Sequence, residues 1–151
     1  TLLHPHSCLA SMRAYSIERI QSSYALFSAQ PARAALVYYR ELFQLEPRLR
    51  VRLRGDVEHQ GEALMQLLDT LIAALPRVEH CTRLLEALGR RHLGHSIEEQ
   101  QLDTLAFAMI RALELELGER FDKDTRYAWI DAYRQAAALM RRAASPQAAA
   151  A

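Results

Sequence analysis

Two stretches of this chain hold residue types that could grip a metal-centred ligand. Leu88-Gly89-Arg90-Arg91-His92-Leu93-Gly94-His95-Ser96-Ile97 places a histidine at the end of an apolar helical run, just ahead of a glycine that breaks it. Upstream, Gln60-Gly61-Glu62-Ala63-Leu64 places an amide one helical turn before a leucine, on the inward face of an earlier helix. A planar cofactor held between two helices needs this division of roles: a metal ligand on one side, a polar group and an apolar wall on the other. Each residue also has a plain structural reading. Taken alone, His92 suits a surface or helix-capping histidine, and Gln60 a boundary amide facing water. Leu64 suits ordinary core, and Tyr39 a core tyrosine bonded to backbone. Arg91 and His95 suit a solvated corner.

The elements that must position these residues are all helical. β-Branched residues are few and no useful alternating stretch occurs, so a sheet is not expected. Ser16 is read as the cap of a first helix reaching about Gln30, with Ile20, Tyr24 and Phe27 on one face. Pro31 opens a second helix to about Gln44, and Pro47 a short one through Leu53. Gly55-Asp56 re-aims the chain into a long helix that ends at Pro76, with Val57, Gln60, Leu64, Leu67, Leu71 and Leu75 on one stripe. Thr82–His92 and Glu98–Leu117 follow, the latter with Leu102, Leu105, Met109 and Leu113 inward and Gly118 as its stop. Asp122 or Asp124 caps the last helix, where Trp129, Ala132, Tyr133, Ala136 and Met140 share a face. The lengths and junctions differ from those of an up-down four-helix bundle.

Composition sets the outer bounds. A chain of 151 residues, 50% hydrophobic and 25% charged, is an ordinary single-domain globule. Its net charge of +1 gives no field that would favour nucleic acid or an anionic membrane. Two cysteines, Cys8 and Cys81, offer no disulfide framework, which points to a reducing cytoplasm. No apolar run is long enough to span a membrane. Residues 1–11, with His4 and His6, read as a disordered tail or expression remnant ahead of Met12. The domain is expected over 12–143, with a frayed tail over 144–151.

From about Ile17 to Arg142 the sequence resembles the single-domain and flavohaemoglobin-type globins of bacteria. Tyr38-Tyr39-Arg40-Glu41-Leu42-Phe43 with Glu46-Pro47 is similar to the family's second helix and its proline-led third. Gln60 to Leu64 is similar to its distal helix, E. Leu88-Gly89 with His92 and Ile97 is similar to its proximal helix, F, and the corner after it. Leu117-Gly118-Glu119-Arg120-Phe121, Ala128-Trp129 and Ala132-Tyr133 resemble the last two helices.

The resemblance implies an all-α globin fold with haem b sandwiched between helices E and F. His92 would ligate the iron, with its second ring nitrogen donating to a carbonyl such as that of Leu88. Tyr39 and Gln60 would donate to a diatomic gas, O2, NO or CO, on the opposite face. Leu64 would wall that face, while Leu53, Ile97 and Leu102 contact the haem. Arg91 and His95 would partner a propionate. His59 sits beside Gln60 but about 100° away around the helix, outside the pocket unless the helix rotates and makes it a sixth ligand.

The chain departs from the family pattern in three places. Leu53 stands at the corner where the family nearly always carries a phenylalanine, so ring stacking on the haem is lost. Leu102 stands where flavohaemoglobins carry a proximal tyrosine, and no glutamate follows Glu119, so the electronic push on the proximal histidine should be weak. No dinucleotide fingerprint accompanies the helices. Three functions remain open at this level. Reversible gas binding is favoured over nitric oxide dioxygenation with an external reductase, and over a sensor that passes a signal to a partner.

Overall fold

The computed structural model describes residues 14–52, 57–95 and 97–145. Leu53, Gly55, Asp56, Ser96, the side chain of Val57, Met12, the whole expected N-terminal tail over 1–11 with Cys8, and the C-terminal tail from Pro146 lie outside the described residues. Within them the helices are α1 (Ala14–Phe27), α2 (Pro31–Leu45), α3 (Arg48–Arg52), α4 (Val57–Ala74), α5 (Val78–His92), α6 (Gln101–Leu117) and α7 (Lys123–Ala144), with a 3₁₀ turn at Gly118–Arg120. The only strand-like pairing among the described residues is a single bridge between Leu93 and Ile97. The all-α expectation holds.

Helix boundaries follow local chemistry, and some differ from the sequence expectation. Ser16 lies inside α1 rather than at its cap, and α1 ends at Phe27 rather than near Gln30. Helix α5 starts at Val78, four residues before Thr82, because the carbonyl of Arg77 already accepts from Cys81 N–H at 2.9 Å. Helix α6 starts at Gln101 rather than Glu98. There the Gln101 side chain reaches back to accept from the Glu98 N–H at 3.0 Å, satisfying an amide ahead of the helix. Asp122, not Asp124, caps α7 by accepting from Thr125 N–H at 2.8 Å. Gly118, with φ +55°, closes α6 in a conformation that favours glycine.

The core sits where α2 crosses α4 and α6, and where α7 packs along α5 and α1. Two glycines let backbones approach closely. A Cβ on Gly61 of α4 would lie 3.1 Å from the Ala35 Cβ of α2, so this crossing is built from small residues. A Cβ on Gly89 of α5 would lie 2.4 Å from the Met140 carbonyl oxygen of α7, a distance no side chain tolerates. Helix α5 is therefore pressed against α7 one turn before His92. Trp129 ties α7 to α1 by donating to Ser23 Oγ at 2.9 Å. Ser23 in turn donates to the Arg19 carbonyl at 2.7 Å, so the buried indole N–H and hydroxyl are both satisfied.

The expected inward stripe of α4 needs correction. The buried residues of the helix are Gly61, Met65, Leu68 and Ala74, with Leu75 just past its end, while Gln60, Leu64, Leu67 and Leu71 are half-buried beside them. The physical reason is the Gly61–Ala35 crossing, which turns the Gly61 arc into α2 and leaves the Gln60–Leu64–Leu71 arc at its flank. Leu105 of α6 is likewise half-buried, while Leu102, Met109 and Leu113 are core.

Candidate functional site

Two half-buried apolar stripes lie on α4 and α5, the helices that carry the chemically distinctive residues. On α4 the stripe is Gln60, Leu64, Leu67 and Leu71, at helical spacing. On α5 it is Leu84, Leu88 and His92, each four residues after the last. Cys81, Leu85 and Gly89 take the fully buried positions of α5, and Gly89 marks the face turned to α7. Leu64, Leu71, Leu84, Leu88, Ile97 and Leu105 pack against the main core without being enclosed by it. An amide thus heads one apolar stripe and an imidazole ends the other.

His92 is the last residue of α5, and its side chain is half-buried. Its carbonyl accepts from Ile97 N–H at 3.0 Å and from His95 N–H at 3.2 Å, which closes the corner behind it. The corner needs Gly94 at φ +82°, where a side chain would be strained. The Leu93–Ile97 bridge fixes the same corner and holds Ile97 half-buried against the core. Arg91 and His95 are exposed, at the rim rather than within. Leu102 is buried in the core just inside α6.

On the other side, the structure brings Tyr39 and Gln60 together. Tyr39 of α2 is buried, and its hydroxyl donates to the main-chain carbonyl of Gln60 at 3.3 Å. The contact seen is therefore to the Gln60 backbone and not to its amide side chain. Burial holds the Tyr39 pKa above the ordinary phenol value, so it stays a protonated donor at neutral pH. Phe43 stacks on its ring with centroids 5.8 Å apart, and Tyr38 meets it edge-on at 5.4 Å. His59 is exposed while its neighbour Gln60 is half-buried, as the 100° separation on a helix requires.

Phe43 and Gly89 were not singled out for these roles from the sequence. The Tyr39/Phe43 pair was readable as an i, i+4 aromatic pair on one helix face. A glycine inside an otherwise helical run was a sign of close packing. Neither says which helix is the neighbour.

The donor set tells which kind of metal ligand fits. Among the described residues no group of three or more His, Cys, Asp or Glu side chains gathers to hold a bare metal ion. One half-buried imidazole beside apolar walls suits a metal that brings most of its own ligands in a planar ring. The residues present fit haem.

A family model described as Globin matches residues 39–140. Among solved structures similar to this chain is the hexacoordinated heme protein of an anhydrobiotic tardigrade, determined at pH 4. The TM-score is 0.76 at 15% sequence identity, covering 89% of this chain and 96% of that one. At that identity the likeness speaks to fold alone. Comparison with curated proteins returns no match.

Proposed function

This chain belongs to the globin family, and on that basis we propose that it holds haem b between α4 and α5, with the iron on His92, and binds a diatomic gas reversibly. The observation that carries the reading is the pair of half-buried stripes, Gln60–Leu64–Leu71 and Leu84–Leu88–His92, each headed or ended by one polar group. Haem bound there would supply an iron with one face open to O2, NO or CO. His92 would hold that iron through one ring nitrogen, and its second ring nitrogen would donate to a carbonyl of the preceding turn, most simply that of Leu88. Leu64, Leu71, Leu84 and Leu88 keep water from the flat faces of the ring. Ile97 and Leu102 would fill the space behind His92. Arg91 and His95, both exposed, meet the propionates at the rim.

Tyr39 and the Gln60 amide act on the gas. A hydrogen bond from a neutral phenol or amide favours a ligand that draws negative charge, as O2 does, over CO, which draws little. This donor pair is the reason for placing the chain near the single-domain bacterial globins. With Leu102 at the proximal tyrosine position, storage or delivery of a gas suits the chain better than nitric oxide dioxygenation with an external reductase. No described helix is long and apolar enough to cross a membrane, and we place the protein in the cytoplasm on the strength of its cysteine usage.

Optical spectra in ferric, ferrous and CO-bound forms test the reading. His92→Ala should lose stoichiometric haem or hold it loosely. A normal five-coordinate ferrous spectrum in that variant, lost instead in His95→Ala, would overturn the assignment of His92.

A further inference from the structure

An open cleft of about 210 Å3 lies where the ends of three helices meet. Its walls come from the end of α1, the start of α2, and the end of α6 with the turn after it. No residue of α4 or α5 lines it, so it is distinct from the candidate haem site. Leu26, Phe27 and Leu117 supply its apolar part. Phe27 and Leu117 are buried, while Leu26 is 47% exposed and stands open beside them.

The rest of the lining carries donors. Two arginines, Arg33 and Arg120, face one carboxylate, Glu116. That carboxylate is already engaged, accepting from Arg33 Nε at 2.9 Å. Among the described residues the two terminal nitrogens of Arg33 form no further hydrogen bond, and the Arg120 side chain has no hydrogen-bond or ion partner. Gln30 stands at the head of α2 without capping it, which leaves its amide N–H groups uncommitted. The cleft thus joins unused N–H donors, two of them on cations, to an uncovered apolar wall. A guanidinium of this kind takes a carboxylate through two parallel hydrogen bonds.

We propose that this cleft binds a small carboxylic acid, as its anion, with a compact apolar body. The carboxylate takes the Arg120 guanidinium and the free end of Arg33, and the body covers Leu26 against Phe27 and Leu117. The volume lies below the range of about 300–1,000 Å3 usual for drug-sized ligands, so an acid of about ten non-hydrogen atoms is the size that fits. A long-chain lipid is too large, and inorganic phosphate would leave Leu26 uncovered. A cation has no free carboxylate to meet. The site does not depend on the haem reading, because none of its residues belongs to the α4 and α5 stripes.

The test is a titration of the full, nitrogen-15-labelled chain with 4-fluorobenzoate, followed by amide chemical shifts. The sample is kept reduced under CO, so that no carboxylate reaches an iron. Shifts should gather on residues 26–33 and 116–120, with a dissociation constant of about 1 mM, as suits a ligand of this size in an open cleft. Arg120→Gln should weaken binding by about fivefold, the equivalent of one exposed ion pair. Leu26→Ala should weaken it by about threefold, through lost apolar contact. Arg134→Gln, on an exposed arginine of α7 outside the cleft, should leave it unchanged, and all three variants should keep the circular dichroism of the parent. The neutral 4-fluorobenzamide should bind at least about fivefold more weakly than the acid. Shifts gathered on α4 and α5, equal binding of amide and acid, equal losses in Arg134→Gln and Arg120→Gln, or displacement of the probe by an equal concentration of inorganic phosphate would each overturn the proposal.

Discussion

The Tyr39 hydroxyl lies 3.3 Å from the main-chain carbonyl of Gln60, joining α2 to α4 at the head of the stripe that faces the candidate site. The phenol therefore already has an acceptor, with which a gas ligand at the proposed site would compete. Tyr39→Phe removes the donor and keeps the ring that stacks on Phe43. O2 dissociation should speed up by roughly tenfold, the equivalent of one hydrogen bond near 1.5 kcal/mol. CO dissociation should change far less. Stopped-flow ligand replacement measures both, and equal small effects would mean that the hydroxyl serves the backbone alone.

Gly89 and Gly61 should respond differently to the same substitution. At Gly89 the new methyl meets the Met140 main chain at 2.4 Å, and neither helix can yield by moving a side chain. Gly89→Ala should cost about 2–3 kcal/mol, the range of overpacked cores. In a chain of this size that lowers Tm by roughly 5–10 °C. At Gly61 the methyl meets only the Ala35 Cβ, at 3.1 Å. Gly61→Ala should cost under about 1 kcal/mol, since helix propensity gains offset a small shift. Thermal melts of the two variants decide the matter. Haem affinity should fall with Gly89→Ala, because the helix that ends at His92 is displaced.

Asp122 links stability to acid. Its hydrogen bond from the Thr125 N–H, then those from the Thr125 hydroxyl and Arg19, lower its pKa from the ordinary 3.8 to about 2. The unfolded chain binds this proton first as pH falls, so the stabilisation is complete above pH 4 and is lost between about pH 4 and pH 2. Asp122→Ala should melt below the wild type at neutral pH, and the two should converge as pH falls through that window. A constant gap from pH 7 to pH 2 would contradict the assignment.

Nitric oxide separates a carrier from an enzyme. Ferrous protein equilibrated with O2 should oxidise one equivalent of nitric oxide quickly and then stall. NADH alone should not restart it, while a separate reductase should, at a rate set by that reductase. Stopped-flow mixing with excess nitric oxide, O2 and NADH reads this directly. Sustained nitrate production without a reductase would defeat the carrier reading.

Local order made much of this protein legible in its sequence. Helical spacing, prolines at helix starts and glycines at helix ends mark elements through contacts within a few residues, so α2, α4 and α6 could be placed within a turn or so. His92 stood out for the same local reason: an apolar run, then a histidine, then Gly94. Periodicity identifies an apolar face but not the partner that covers it. Tertiary packing alone set the deep face of α4 on Gly61, Met65 and Leu68, and left the Gln60–Leu64–Leu71 arc half-buried. It also chose Met140 as the neighbour of Gly89 and the Gln60 carbonyl as the acceptor of Tyr39. These contacts join residues far apart in the chain, and their geometry depends on how closely two backbones can approach, which no single stretch of sequence encodes.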